Sequence, residues 1–305
     1  MTLTELKYLI TLEQERHFGR AADKCNISQP TLSVAIKRLE EELGITIFER
    51  NKSTLQLTPI GEKVVIQAQE VLNQAAMVKE IAQEGKSQLN SPLRLGAIYT
   101  LGPYLLPHLV PLLQQSTPQM PLYIEEGYTA VLRRKLRAGE LDAILVALPF
   151  TEPDVVTRHL YDEPFEVLLP NHHPWAEHKE IPIDKLPSEK LLLLGEGHCF
   201  RDQVFEACPA LEKSFNDPKQ NFIAEGGSLE TIRHMVASGL GITVLPASAL
   251  GMNSYAPDLL ITRPFAKPVP SRSVVLAWRV SFPRPKAIDA LIDAILDFKS
   301  RQPNC

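Results

Sequence analysis

The sequence predicts an all-α N-terminal region that carries a β-hairpin, then one long helix, then a larger α/β domain. Three observations support this fold class. Apolar residues recur at helical spacing in short runs across 1–58. In 59–89 they recur at alternating intervals of four and three residues. From 90 to 305, short apolar strands alternate with helical stretches, which is typical of a sheet covered by helices.

Composition narrows the class of protein. The 305 residues are 44% hydrophobic and 22% charged, and the net charge of −4 excludes a strongly basic or acidic polyelectrolyte. No basic-then-apolar leader begins the chain, and no stretch approaches the roughly 20 apolar residues of a membrane span. We therefore expect a cytoplasmic protein without a membrane partner. In that reducing compartment, cysteines favour redox or metal chemistry over structural disulfides; they are Cys25, Cys199, Cys208 and Cys305.

Three short helices are predicted in the N-terminal region. The first follows Thr2 and Glu5, which have the spacing of a capping box. The second spans 19–24, and its small residues Ala21 and Ala22 allow the third helix to pack closely against it. A tight turn then leads directly into the third helix.

The third helix is capped by Ser28, tolerates Pro30 in its first turn and ends at Gly44. Its inner face is apolar and its outer face is polar and basic. A hairpin over 48–58 follows, and its polar, basic tip is suited to phosphate contact. This order of elements predicts a winged helix-turn-helix over 1–58, whose last helix can enter the DNA major groove.

The charge of this region is less favourable to DNA binding. Residues 1–60 hold eight Lys and Arg residues and eight Asp and Glu residues, so the module is not net basic. We expect individually positioned charges to hold DNA, with weak binding by one module and a need for a dimer. A small helical protein-interaction domain is the alternative.

The long helix is predicted to begin at Thr58, which can cap it, with Pro59 in its first position. Its apolar seam predicts a dimerisation helix. The seam consists of Val64, Ala68, Val71, Ala75, Val78 and Ala82. A dimer would suit two DNA half-sites about 34 Å apart or at multiples of that distance. The alternative is a helix that lies on its own domain. Residues 85–88 are expected to end the helix and act as a hinge.

The remaining region is predicted to be a two-lobed α/β domain. The predicted strands are 93–98, 122–125, 141–148, 167–169, 191–194, 242–245 and 274–278. The predicted helices are 104–115, 129–138, 229–237 and 287–299. Alternation of the two predicts helices on both faces of a sheet.

Several motifs stand in order along the N-terminal region. They are 6–9, 18–22, 28–33, 36–40, Gly44, 48–50 and 57–61. Together they closely resemble the winged helix-turn-helix of LysR-type transcriptional regulators. The resemblance implies that the helix after Ser28 reads the major groove and that Arg50 anchors the wing. The implied DNA contacts are Ser28, Gln29, Pro30, Thr31, Ser33, Lys37, Arg38, Arg50 and Lys52.

The same resemblance extends to the C-terminal region, where 238–246 is similar to the family's periplasmic-binding-protein-like regulatory domain. It implies a first lobe from about 90–162 and 266–305, and a second from about 163–265. It also implies that 59–89 dimerises, that the protein is a dimer of dimers, and that it contacts double-stranded promoter DNA and RNA polymerase.

Two cysteines form the candidate reactive site. Cys199 follows His198 and lies two residues before Arg201, and positive neighbours would favour its thiolate form. Cys208 is close enough along the chain to act as a resolving thiol. Two unrelated structural thiols are the alternative, while their spacing disfavours a zinc pair. A histidine group over 172–178 is better explained as a solvated loop than as a metal cluster.

The segments 194–203 and 97–107 resemble the hydrogen-peroxide-sensing members of this family. The resemblance implies that Thr100 lines a peroxide pocket and that Thr129 is a second such threonine. Thiolate attack on peroxide would yield a sulfenic acid on Cys199, which then condenses with Cys208. His198 and Arg201 would favour the thiolate, and Asp202 would orient Arg201 or relay a proton.

The expected function is therefore a peroxide-responsive activator of oxidative-stress genes. It would need no cofactor or metal and would be reset by glutaredoxin or thioredoxin. If 199–208 is helical, its two ends lie about 13 Å apart, whereas a disulfide needs less than about 7 Å between Cα atoms. The helix would have to unwind. The alternatives are a LysR-type regulator of a small organic effector and, from another class, a thiol peroxidase enzyme.

Overall fold

The computed structural model describes residues 1–51, 54–81, 88–211, 223–250 and 258–301, although the side chains of 50, 51, 54, 79–81, 223 and 224 lie outside that description. The chain divides into two compact units, Met1–Lys86 and Ser87–Cys305. No described helix combines the length and apolar character that crossing a bilayer requires.

The first unit holds three helices, a two-stranded hairpin and a long helix. They are α1 Leu3–Glu15, α2 Phe18–Lys24, α3 Gln29–Leu43, β1 Phe48–Asn51, β2 Thr54–Leu57 and α4 Pro59–Ile81. The predicted capping box of α1 is present, since Thr2 Oγ1 accepts from the Glu5 amide at 3.2 Å and Glu5 accepts from the Thr2 amide at 2.7 Å. Gly44 ends α3 in the left-handed region with φ 67°. This part of the predicted fold class is confirmed.

The long helix α4 differs from its prediction. Thr58 does cap it, because its hydroxyl accepts from the Gly61 amide at 2.9 Å. However, Ala68 is 3% exposed and packs with Val64 in the core of the first unit, so the first half of the predicted seam is internal. Farther along, Val71 and Val78 are 37% and 67% exposed. The alternative of a helix packed on its own domain therefore holds for its first turns. Ala82 lies outside the described residues.

The second unit is an α/β domain. Its strands are β3 Leu93–Ile98, β4 Leu122–Gly127, β5 Ala143–Ala147, β6 Val155–Pro170, β7 Leu191–Leu194, β8 Ile223–Gly226, β9 Ile242–Pro246, β10 Leu260–Pro264 and β11 Ser271–Arg279. Its helices are α5 Gly102–Ser116, α6 Thr129–Arg137, α7 Cys199–Ala207, α8 Leu229–Ala237 and α9 Pro285–Arg301. Single 3₁₀ turns occur at Pro174–Glu177, Ile183–Ser188 and Ala247–Ala249.

Within the described ranges, these strands form one nine-stranded sheet in the order β4-β3-β5-β11-β6-β9-β7-β8, with β10 also paired to β6. The strand β6 is 16 residues long. Its first part pairs with β11 from Val155 to Pro164, and its last part pairs with β9 and β10. It therefore takes part in both halves of the sheet.

Two apolar clusters fill this unit, and we call them the first and second core. The first core packs α5, α6 and α9 against β3, β5 and β11. The second core packs the last residues of β6 with β7, β9, α7 and α8. The predicted strand 167–169 proves to be the end of β6, and β8 and β10 were not predicted. The earlier part of β6 escaped prediction because most of it is exposed and polar.

The histidines of 172–178 do not form a metal cluster. His173 caps a 3₁₀ turn, accepting from the Trp175 amide at 3.1 Å, and contacts Glu189 at 3.4 Å. Among the residues that the structure describes, no group of three or more His, Cys, Asp or Glu side chains could hold a metal ion.

Candidate thiol site and recognition helix

Cys199 is the first residue of α7. The strand β7 ends at Leu194, and the chain turns through Gly197, whose φ of 91° lies in the left-handed region that suits glycine. The Cys199 side chain is a half-buried free thiol that packs against the first core, although the rest of α7 contributes to the second. The N-terminus of a helix favours negative charge, which suits a reactive sulfur at this position.

A small pocket adjoins this sulfur. It is built from three chain segments, namely the turn after β3, the junction of β4 with α6, and the loop before α7. The lining residues are Ile98, Tyr99, Thr100, Gly127, Tyr128, Thr129, Gly197, His198 and Cys199. The empty space among them is about 170 Å³, and the centre of a water molecule can occupy about 10 Å³ of it. The fold thus brings both predicted threonines beside Cys199.

Polar atoms line this pocket. The buried Thr100 hydroxyl accepts from Arg272 Nη1 at 2.8 Å, so its own proton remains to be donated. Across the part of the chain that the structure describes, Thr129 Oγ1 and His198 Nε2 are buried atoms without a hydrogen-bond partner. Unpaired buried polar atoms are costly, so a polar guest that bonds to them would be favoured here.

His198 is a buried member of the site. Burial lowers its pKa, and the backbone of Gly227 only partly opposes that effect by hydrogen bonding to the ring. Because Nε2 has no hydrogen-bond partner, the bond to the Gly227 backbone involves the other ring nitrogen. Nε2 is then an acceptor. Burial thus works against a positive charge on His198, and its role as a positive neighbour of the thiolate stays a prediction.

Arg201 has a different partner from the one predicted. Its guanidinium donates to Glu225 at 2.7 Å and lies 5.6 Å from the centre of the Phe205 ring. Glu225 thus orients Arg201, while Asp202 is exposed and its role in orienting Arg201 or relaying a proton stays a prediction. Glu225 was missed because it lies on the unpredicted strand β8.

A buried ion pair supports the pocket, and sequence reasoning also missed it. Arg272 on β11 and Glu163 on β6 are 0% exposed and approach to 2.7 Å. Arg272 also donates to the Thr100 carbonyl at 2.9 Å and lies over the Phe200 ring of α7. Burial would raise the pKa of Glu163, but Arg272 and the hydrogen bonds from Ser248 hold it below its usual range.

Cys208 lies at the other end of α7 and in the other core. It is 4% exposed, and its thiol donates to the Ile183 carbonyl at 3.4 Å. Burial raises the pKa of the Cys208 thiol, so it stays protonated near pH 7. Both thiols are free, and nine residue steps of helical rise separate them by about 13 Å.

The recognition helix α3 presents most of the predicted DNA contacts to solvent. Ser28 caps it by accepting from the Thr31 amide at 3.3 Å. Its stripe of Leu32, Ile36 and Leu39 is buried. The exposed predicted contacts are Ser28, Gln29, Pro30, Thr31, Lys37 and Arg38, whereas Ser33 is half-buried. Lys52 and the side chain of Arg50 lie outside the described residues.

Two family models match the chain. The model for the bacterial regulatory helix-turn-helix protein of the lysR family covers residues 3–62. The model for the LysR substrate binding domain covers residues 86–299. The curated DNA-binding transcriptional dual regulator OxyR of Escherichia coli K12 is 39% identical over 295 residues, which is 97% of this chain and 95% of that protein.

Solved structures agree with these matches. A cysteine-to-aspartate variant of full-length OxyR from Pseudomonas aeruginosa is 60% identical, with 97% of this chain and 94% of that chain covered and a TM-score of 0.76. A cysteine variant of Corynebacterium glutamicum OxyR, described as H2O2-bound, is 31% identical, with 98% and 93% covered and a TM-score of 0.64. The chain therefore belongs to the LysR family of transcription regulators, not to an enzyme family, and within it to the OxyR group.

Proposed function

We propose that the chain senses hydrogen peroxide through oxidation of Cys199 and converts that event into altered DNA binding. The observation that carries the proposal is the pocket beside Cys199, in which Thr100, Thr129 and His198 surround a space that fits only a very small polar molecule. Drug-sized ligands need pockets of about 300–1,000 Å³, so this one disfavours the alternative of an organic effector at this position.

The polar atoms suggest how the chemistry proceeds. His198 Nε2 accepts the proton of the Cys199 thiol, and the thiolate attacks one oxygen of hydrogen peroxide. The S–O bond forms as the O–O bond breaks, and the leaving hydroxide takes a proton to become water. Thr100 donates to the peroxide while Arg272 occupies its acceptor side. Cys199 is oxidised by two electrons to a sulfenic acid, and the peroxide is reduced.

The second step joins the two thiols. Cys208 displaces water from the sulfenic acid of Cys199, giving a disulfide. A disulfide requires Cα atoms within about 7 Å, so the roughly 13 Å between the ends of α7 must shorten by unwinding. Because Cys199 packs on the first core and Cys208 in the second, at least one sulfur must leave its core. Such a segment with two alternative packings is a bistable switch.

Helix α7 also contacts the segment after β5 through a second residue, Gln203. Gln203 is buried, and its amide donates to the Leu148 carbonyl at 2.9 Å. Unwinding α7 would remove this bond together with the Cys199 contacts. The refolded segment would then change how regulatory domains pack on one another in the oligomer.

The roles of the other regions of the chain are proposed from its membership of the family. In this proposal 1–58 binds promoter DNA, 59–89 dimerises, and 90–305 senses the oxidant as two lobes, about 90–162 with 266–305 and about 163–265. The exposed Val71 and Val78 on α4 offer a dimer surface. We further propose a cytoplasmic dimer of dimers that recruits RNA polymerase to oxidative-stress genes and is reduced by glutaredoxin or thioredoxin.

The test is a peroxide titration of the reduced full-length protein, followed by mass spectrometry of tryptic peptides and by promoter footprinting. We expect one equivalent of peroxide to consume the Cys199–Cys208 thiol pair and to change the footprint. Cys199→Ser should abolish both changes and leave DNA binding of the reduced protein intact, whereas Cys25→Ser serves as the matched control.

Two outcomes would overturn the proposal. One is a Cys199→Ser protein that still responds to peroxide. The other is identical footprints for the disulfide and dithiol forms. Sustained peroxide consumption in the presence of a thiol reductant would instead favour a peroxidase.

A further inference from the structure

Two tyrosines stand at the pocket beside Cys199. Tyr99 follows β3, and Tyr128 precedes α6, so the two come from different chain segments. Their rings meet edge to face with centres 5.3 Å apart. Both also contact the His198 ring, at 6.0 Å from Tyr99 and 4.7 Å from Tyr128. The three rings form one aromatic cluster around the pocket.

This cluster lies at the solvent side of the site. Tyr99 is 40% exposed and Tyr128 is 39% exposed, although Thr100 next to Tyr99 is 2% exposed. Each tyrosine thus adjoins one of the two threonines in sequence, and both exposed rings line the same pocket as the threonines. A molecule that reaches the threonines from this side passes the rings.

The ring of Tyr128 is also packed against the loop that precedes Cys199. A Cβ atom built on Gly197 would lie 3.3 Å from Tyr128 Cδ1 and 3.4 Å from Cε1, which is closer than most real Cβ contacts. The ring therefore lies close to this backbone, and a side chain at Gly197 would have to displace it. The empty space of the pocket is only about 170 Å³, and the two tyrosines are among the residues that line it.

We propose that Tyr99 and Tyr128 form an aromatic gate that admits hydrogen peroxide to Cys199 and excludes alkyl hydroperoxides. This inference rests on the proposed peroxide chemistry at Cys199. With an alkyl hydroperoxide, the thiolate would attack the terminal oxygen. The O–O bond would break, and the alkoxide would leave and take a proton to become an alcohol. The sulfur would again be oxidised by two electrons. The chemistry is the same for both peroxides, so the gate discriminates by size.

The effect of the aromatic gate on the ratio of the two oxidation rates can be bounded. One methylene group that a pocket cannot accommodate is worth about 10- to 200-fold in specificity. The tert-butyl group of tert-butyl hydroperoxide is larger than a methylene and would occupy the position of the rings. Removing one ring should therefore change the ratio of the two rates by at least about tenfold.

The experiment measures the second-order rate of Cys199 oxidation in the full-length reduced protein, by trapping the sulfenic acid, with hydrogen peroxide and with tert-butyl hydroperoxide. We expect the preference for hydrogen peroxide to fall at least about tenfold in Tyr128→Ala and further in Tyr99→Ala/Tyr128→Ala. Tyr128→Phe should keep the wild-type preference, because the ring and not the hydroxyl blocks passage.

Tyr123→Ala is the matched control, since Tyr123 lies on β4, is 61% exposed and does not line the pocket. Its preference should equal that of the wild type. Promoter binding by each reduced variant verifies that it is folded, and Tyr99→Ala alone replaces Tyr128→Ala if the latter does not bind.

The outcomes separate the gate from the function on which it rests. If stoichiometric hydrogen peroxide does not oxidise Cys199 in the wild type, the proposed sensing function fails, and the gate fails with it. If it does oxidise Cys199 but every alanine variant keeps the wild-type preference, the sensor stands and the gate alone is refuted. An equal loss of preference in Tyr123→Ala would also refute the gate.

Discussion

The buried ion pair of Arg272 and Glu163 gives a prediction whose size follows from the structure. Both side chains are 0% exposed. Replacing Arg272 with methionine leaves the Glu163 carboxylate buried without its partner, which typically costs about 3–5 kcal/mol. For a region of about 150–250 residues, each kcal/mol lowers Tm by about 2–4 °C. We therefore expect Arg272→Met to lower Tm of the regulatory region by about 6–20 °C.

The assay is thermal unfolding of the reduced full-length protein by circular dichroism at pH 7, with urea unfolding as the source of free energies. Glu163→Gln/Arg272→Met removes both charges, and such replacements of buried pairs are often close to neutral. The double variant should thus be more stable than Arg272→Met alone. Arg158→Met is the control, because Arg158 is exposed on the same strand β6 and should change stability by less than about 0.5 kcal/mol.

The pH dependence has a definite sign. In the folded protein the pKa of Glu163 is held below the ordinary glutamate value of 4.5, so its stabilising contribution is present above about pH 4.5 and is lost as the pH falls through the folded value. The difference in stability between wild type and Arg272→Met should shrink below pH 4.5. An Arg272→Met protein within about 1 kcal/mol of the wild type at pH 7 would refute the reasoning. A double variant as unstable as the sum of the single changes would refute it too.

Three further predictions follow. Cys208→Ser should still react with peroxide but stop at the sulfenic acid of Cys199, so that a dimedone adduct accumulates in mass spectra; disulfide formation elsewhere would contradict this. Lys37→Ala should weaken binding to all DNA sequences alike and reduce the slope of log K against log salt by about 1, and a change in sequence preference would argue against phosphate contact. Ser28→Ala removes the cap of α3 and should destabilise the first unit by about 1 kcal/mol in urea unfolding, and an unchanged midpoint would show the cap to be dispensable.

Local chemistry made the first unit predictable from the sequence. The Thr2 capping box, the Ser28 cap and the Gly44 terminator each depend on residues within a few positions, and each is present. The sequence could not show whether the apolar residues of α4 face a partner helix or the core of their own unit, because Ala68 suits a dimer seam and a domain core equally well. Only its neighbours in space, the core of the first unit, decide between them.

The thiol site was predictable in its residue types but not in its electrostatics. Cys199 was found from its neighbours in the sequence and Thr100 and Thr129 by resemblance, and the fold gathers the three around one pocket. The charge of His198 depends on burial, which a sequence does not reveal. The pair of Arg272 with Glu163 joins residues 109 positions apart, so no local spacing could have indicated it. Glu163 lies on β6, and the first part of this strand was not predicted because it is mostly polar.

The length of β6, a 16-residue strand whose pairing with β11 shifts register once, has a mechanical consequence. Its backbone ladder runs from β11 at one end to β9 and β10 at the other, so the two halves of the sheet are tied by the same strand. A hinge rotation that separated the two halves of the sheet would have to twist or shear the hydrogen-bond ladder of β6. Unwinding α7 breaks none of the hydrogen bonds in that ladder. If α7 refolds as proposed, the sheet can stay unchanged while one short segment alters the surface of the domain, and no closing motion of the two halves is needed.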